Sequence, residues 1–204
     1  ILLWRLVYYH VHLDPGRVRD GADLVQYAVS NVLLYLRVSG SFHLIIGILH
    51  LFGFALPLAN RRYFLASSFN DYWRRVNIYW KDFIMKVVYY PITFRLKSWS
   101  NAAKVSLVTG LAFVISWLLH SYQLFWLRGT FPIQLQEAIF WGSLGLLVIA
   151  NSLWEMRPGR RTKKGAQGVQ DRLGLALRTM GTFSVITLLW SLWNCESIEQ
   201  WVSL

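Results

Sequence analysis

"VSLVTGLAFVISWLLHSYQLFWL", residues Val105 to Leu127, contains no Asp, Glu, Lys or Arg. Crossing the hydrocarbon of a bilayer takes roughly 20 helical residues, within a range of about 17–25. The stretch therefore has the length and composition of a span. Three further windows are equally free of charge: Val38 to Asn60, Ala138 to Trp154 and Thr179 to Cys195. The surrounding chain agrees, because 55% of its 204 residues are hydrophobic, only 15% are charged, and the mean hydropathy is +0.36. A soluble domain carries more charge than this. The expected fold is an all-α, multi-pass transmembrane helical bundle, one membrane domain over residues 1–204.

The net charge of +11 does not point to nucleic acid in such a chain. Membrane proteins collect Lys and Arg in loops facing the cytosol. Asn60 to Lys104 holds nine basic residues against Asp71 and Asp82, and Met156 to Arg172 holds six against Asp171. The short connection at Arg128 to Thr130 lies between them, and the tail after Asn194 carries only Glu196 and Glu199. This alternation places the two basic stretches on the cytosolic side. The basic loop "RPGRRTKKGAQG", Arg157 to Gly168, reads as a solvated linker touching anionic headgroups. The single Cys195 excludes an internal disulfide and a thiolate zinc cage.

Outside the uncharged windows the organisation is less regular. Ile1 to Leu13 is apolar but carries Arg5, His10 and His12, so it reads as the end of a span or an interfacial helix. It has neither a basic leader nor a small-residue cleavage site, and no initiator Met. The chain is therefore expected to be incomplete at its N-terminus. Leu24 to Leu58 is too long for one span at 1.5 Å per residue, and "RVSGSFH", Arg37 to His43, is expected to divide it. The second piece, Leu44 to Pro57, is short and glycine-rich, as in a close-packed or re-entrant helix. Helices are predicted at roughly 105–127, 132–154 and 177–194.

"SFNDYWRRVNIYWKDF", Ser68 to Phe83, is amphipathic. Phe69, Tyr72, Trp73, Val76, Trp80 and Phe83 recur at helical spacing, with Arg74, Arg75, Lys81 and Asp82 off the stripe. The spacing predicts one helix running to about Tyr90, where Pro91 ends or bends it. Asn77 falls between Trp73 and Trp80, so its amide is expected to point into the aromatic stripe.

Chemistry is concentrated in the first window. His120, Ser121, Tyr122 and Gln123 form a polar knot inside it. His120 lies eight residues before Arg128, about 12 Å in from the helix end, and an ionisable side chain at such depth is a functional candidate. The competing reading is a neutral histidine that ties helices together. His43 and His50, seven apart, could line a cavity or serve packing, while His10 and His12 sit beside a polar loop. No histidine pair has the i, i+4 spacing of a helical zinc site, and neither a serine-hydrolase elbow nor a phosphate-binding glycine loop is present.

Two stretches in this order resemble the membrane-bound O-acyltransferase (MBOAT) family, in its bacterial polysaccharide-modifying branch of the alginate O-acetyltransferase and teichoic-acid D-alanylation type. The first is Ser39 to Phe83, with Gly40, Gly47, Gly53-Phe54, Leu56-Pro57 and Asp71 to Arg75 in register. The second is "FVISWLLHSYQLFWLRG", Phe113 to Gly129, which carries the histidine of the family's second signature. Val76 and Asn77 stand where the branch has Trp and His, and Leu119 and Ser121 flank His120 in place of Trp and Gly.

The resemblance implies a C-terminal portion of a larger bundle in the plasma (inner) membrane, with an amphipathic helix on its cytosolic side. It implies transfer of a short acyl group, acetyl or similar, from an activated thioester (acyl-CoA or an acyl-carrier protein) to a hydroxyl acceptor such as a cell-surface polysaccharide. No tightly bound cofactor is implied, and an extracytoplasmic esterase-like partner could complete delivery. His120 would be the general base and Asn77 would orient a reacting group. Tyr72, Trp73, Trp80, Tyr122 and Gln123 would contact substrate, with Arg74 and Arg75 at the cytosolic mouth for donor phosphates. The alternatives are a transporter or scaffold in which His120 and Asn77 line a path or tie helices, and an inactive family member.

Overall fold

The computed structural model describes residues 2–129, 134–157, 169–195 and 197–202. Among them there are helices and turns but no strand. Four helices are long and apolar enough to cross a membrane: Gly21–Leu51, Asn101–Leu127, Leu135–Glu155 and Gln170–Asn194. Three of them match the helices expected from the uncharged windows, and the fourth, Gly21–Leu51, overlaps the window Val38 to Asn60 only in part. By contact the chain divides into two compact units, Ile1–Arg61 with Ser184–Leu204, and Arg62–Phe183.

The first unit begins with α1 (Leu2–Val11), a short 3₁₀ turn at Pro15–Arg17, and α2 (Gly21–Leu51). Asp20 caps α2, its carboxylate accepting from the Ala22 and Asp23 amides. The division expected at Arg37 to His43 does not occur. The helix runs through Ser39, Gly40 and Ser41 because their small side chains cost it propensity but do not break its hydrogen bonds. It ends at Phe52 and Gly53, where φ reaches 87°, a conformation glycine adopts without strain. The glycine-rich segment is thus the last part of one 31-residue helix followed by irregular chain, not a separate re-entrant helix.

The last turns of α8 (Val169–Asn194) and the short α9 (Ile198–Val202) complete this unit. Tyr27 donates its hydroxyl to the Ser191 carbonyl at 3.3 Å and lies 3.0 Å from Cys195 Sγ. Asn194 donates to Asn31 at 2.8 Å, and the Trp201 indole donates to Ser191 Oγ at 3.0 Å. Buried polar groups on these helices are satisfied by one another, as a water-poor interior requires.

The second unit contains α3 (Phe69–Arg75), α4 (Ile78–Ile84), α5 (Tyr90–Arg95), α6 (Asn101–Arg128) and α7 (Leu135–Glu155). The single amphipathic helix expected from Ser68 to Tyr90 is broken. Val76 is extended and Asn77 is left-handed, with φ 40° and ψ 62°. The aromatic spacing continues across the break, which is why periodicity alone misses it. Of the two outcomes expected at Pro91, an end or a bend, the helix does not end there. A π-helical segment at Met85–Tyr89 precedes α5, and its wider turn accommodates a ring that would otherwise clash with the carbonyl one turn earlier.

α6 and α7 are antiparallel neighbours packed closely at Gly145, where an added Cβ would lie 3.1 Å from Phe113. Ile84, Val88 and Ala112 form a buried cluster covered by Trp80, Ile92, Ile115 and Leu119. At the far end, Asn70 donates to Glu155 at 3.0 Å and accepts from Ser152 at 3.1 Å, tying α3 to the end of α7. Pro158 to Gly168, most of the basic linker, lies outside the described residues.

Candidate active site

His120 lies on α6 between two indoles. Its ring centroid is 4.4 Å from that of Trp80 and 4.8 Å from that of Trp141. Its Nδ1 is 2.8 Å from the Ser116 carbonyl, one helical turn back. A carbonyl oxygen only accepts, so Nδ1 carries the proton of the neutral ring and Nε2 keeps the lone pair. Trp80 reinforces this geometry by donating its indole N–H to Ser116 Oγ at 3.2 Å. Ser116 is fully buried, so its two oxygens serve two neighbours and no water.

Asn77 reaches this group through Trp80. Its side-chain oxygen accepts from the Trp80 amide at 3.4 Å, capping α4. The amide expected to sit within a continuous stripe is therefore at the break between α3 and α4. Trp73 packs on Phe113 at 4.6 Å, and Tyr72 is buried against Tyr63.

The two arginines separate. Arg75 donates to Asp71 at 2.8 Å, and that carboxylate also accepts from the Ser67 amide, so Arg75 is committed to the local fold. Arg74 is exposed and lines a cavity of about 520 Å³ together with Lys81, Lys86, Asp82, Trp73 and Phe113. Lys81 and Asp82 pair at 2.6 Å. Thr109 and Ala112 form the α6 wall of this cavity. They lie eight and eleven residues into α6, roughly 12–17 Å from its start. His120 is two turns further along the same helix than Phe113.

Tyr122 and Gln123 are exposed, and Tyr122 edges onto Trp126. Among the described contacts neither joins the His120 group. Ser121 does turn inward: it is 1% exposed and donates to the buried Glu137 on α7 at 3.4 Å. Sequence reasoning passed over Glu137, Trp141 and Ser116. Glu137 stands in the first turn of its helix, where an acid ordinarily complements the helix dipole at the surface. Ser116 and Trp141 carried no signal beyond their place in apolar windows. His43 bonds the Ser39 carbonyl and His50 bonds Leu56 through Nε2, so both rings hold local backbone.

No protein-family model, curated protein or solved structure matches this chain.

Proposed function

We propose that this chain is a multi-pass membrane protein that transfers a short acyl group from a thioester to a hydroxyl acceptor, with His120 as general base. The observation that carries the reading is the Nδ1 hydrogen bond to Ser116, which leaves Nε2 as the basic nitrogen. In the proposed step Nε2 takes the acceptor's hydroxyl proton while the oxygen attacks the thioester carbonyl. The tetrahedral intermediate collapses with cleavage of the C–S bond, and the departing thiolate recovers the proton from the imidazolium. An ester and a free thiol result.

Two further features support the reading. Arg74, Lys81 and Lys86 border a cavity whose α6 wall lies well inside an apolar helix. Arg74 and Lys86 suit the phosphates of a thioester donor such as acyl-CoA, whereas Lys81 is paired with Asp82. Trp73 and Phe113, packed on each other, supply apolar lining to the same cavity. The acceptor proposed is a cell-surface polysaccharide hydroxyl, and the setting is the plasma (inner) membrane.

The test is His120→Gln in membranes carrying the protein, supplied with acetyl-CoA and a polysaccharide acceptor. Gln keeps hydrogen-bonding capacity and removes the base, so transfer is expected to fall roughly 10²–10⁴-fold at unchanged protein level. Turnover close to that of the unaltered protein would exclude proton abstraction by His120, and a helix-tying histidine would replace it.

A further inference from the structure

Among the described residues only Arg62 and Asn77 are non-glycine positions with positive φ. Asn77 lies between two helices that each contact α6. Trp73 meets Phe113, Trp80 meets Ser116 and His120, and then Ile84 and Val88 return to Ala112. The side-chain contacts thus climb α6 from Trp73 to Trp80 and return from Trp80 to Val88, and the break in helical backbone between α3 and α4 is at Val76 and Asn77. Val76, in extended conformation, and Asn77, in left-handed conformation, are the only residues between α3 and α4. A continued helix could not make contacts in this order. Asn is among the few residues that occupy left-handed backbone readily, because its short side chain bonds locally. Here that local bond is the cap on Trp80 N–H.

We propose that Asn77 is a positioning residue for His120: its left-handed turn sets Trp80, and Trp80 holds the Ser116 hydroxyl and meets the imidazole edge to face. The amide acts on protein backbone, and its influence on the reacting atoms passes through the indole. This rests on the acyl-transfer reading for its catalytic consequence, but its structural half stands apart from any activity. The assignment separates two side chains that otherwise look like an equivalent pair: His120 moves a proton, whereas Asn77 shapes the wall that orients it.

The experiment compares Asn77→Gly, Asn77→Asp and Asn77→Ala in the full chain in its membrane. Glycine accepts the left-handed backbone and costs little as a cap. Aspartate keeps both the backbone tolerance and the acceptor, whereas alanine loses both. The first readout needs no substrate: the rate at which diethyl pyrocarbonate modifies His120, followed on its own peptide by mass spectrometry. Asn77→Ala is expected to speed modification about tenfold, as an L-residue's resistance to the left-handed turn implies, and Trp80→Ala, which removes the indole beside His120, is expected to speed it at least as much. Asn77→Gly and Asn77→Asp are expected to stay within about twofold of the unaltered protein. The second readout is acyl transfer, where Asn77→Ala should lower kcat with KM unchanged and Asn77→Gly should retain most of it.

Equal loss of transfer in the Gly and Ala variants, with His120 still protected in both, would overturn the proposal and give the amide a direct role on substrate. Unchanged protection in Asn77→Ala would overturn it as well. If His120→Gln keeps full turnover, the acyl-transfer reading fails, while the protection series still decides whether Asn77 holds Trp80 in place.

Discussion

Cys195 illustrates how a single side chain is tuned by its neighbours. It is 4% exposed, with Sγ 3.0 Å from the Tyr27 hydroxyl. Burial pushes its thiol pKa up, and the Tyr27 hydrogen bond opposes the shift without cancelling it. The thiolate is the reactive form, so maleimide labelling of the folded protein at pH 7 is expected to be much slower than after denaturation. Labelling should accelerate as the solution is made alkaline. Because the folded thiol holds its proton more tightly than the unfolded one, the linked stability is full below the unfolded pKa. It is lost as pH rises through the folded value. Equal labelling rates in folded and denatured protein at pH 7 would contradict this picture. His120 presents the opposite case, being organised by a backbone carbonyl and two indoles. It was legible in the sequence because a polar residue stands out in an uncharged window. Glu137 was not, since an acid in the first turn of a helix has an ordinary surface explanation.

At the scale of elements, the contact between α6 and α7 depends on the absence of a side chain at Gly145. A methyl group there would lie 3.1 Å from Phe113 Cβ and Cγ, and neither atom can swing away as the end of a flexible chain could. Gly145→Ala is expected to force the helices apart and to destabilise by about 1–3 kcal/mol, read as a lower unfolding temperature in detergent. Gly142→Ala is the control, since nothing lies within 4 Å of its added Cβ; it should be neutral or mildly stabilising. Identical behaviour of the two variants would show that close approach is not what Gly145 provides. The bounds of α6 and α7 were legible because charge disappears over a span-length window and returns at each end. The break at Asn77 was not. Tyr72, Trp73, Val76, Trp80 and Phe83 keep helical spacing straight through it, and only an Asn able to adopt left-handed backbone hints at the turn. Arg37 to His43 misled in the other direction, because small and polar residues there leave the backbone of α2 intact.

For the whole molecule, sidedness follows from the antiparallel pairing of α6 and α7. The start of α6 and the end of α7 lie at one end of this pair, where Lys97, Lys104 and Arg157 gather. On the proposed membrane reading, the basic-residue rule assigns that end to the cytosol. In a Cys195→Ser background, Gln134→Cys is expected to react with a membrane-impermeant maleimide from outside intact cells, and Lys97→Cys only after permeabilisation. Strong external labelling of Lys97→Cys would reverse the assignment. α2 adds a constraint of thickness. Its 31 residues make a rod of about 46 Å at 1.5 Å per residue, against roughly 30 Å of bilayer hydrocarbon. Upright, it would leave about ten residues projecting beyond the hydrocarbon. Leaning, it would exchange that overhang for tilt, at a small cost for each ångström of hydrophobic mismatch. The exposed Arg37 near its midpoint leaves only about 21–24 Å of helix on either side, so in a spanning α2 its guanidinium would have to snorkel toward a headgroup layer. If α2 crosses the bilayer, its continuity ties its tilt to membrane thickness, which two short helices hinged at Arg37 to His43 would not do.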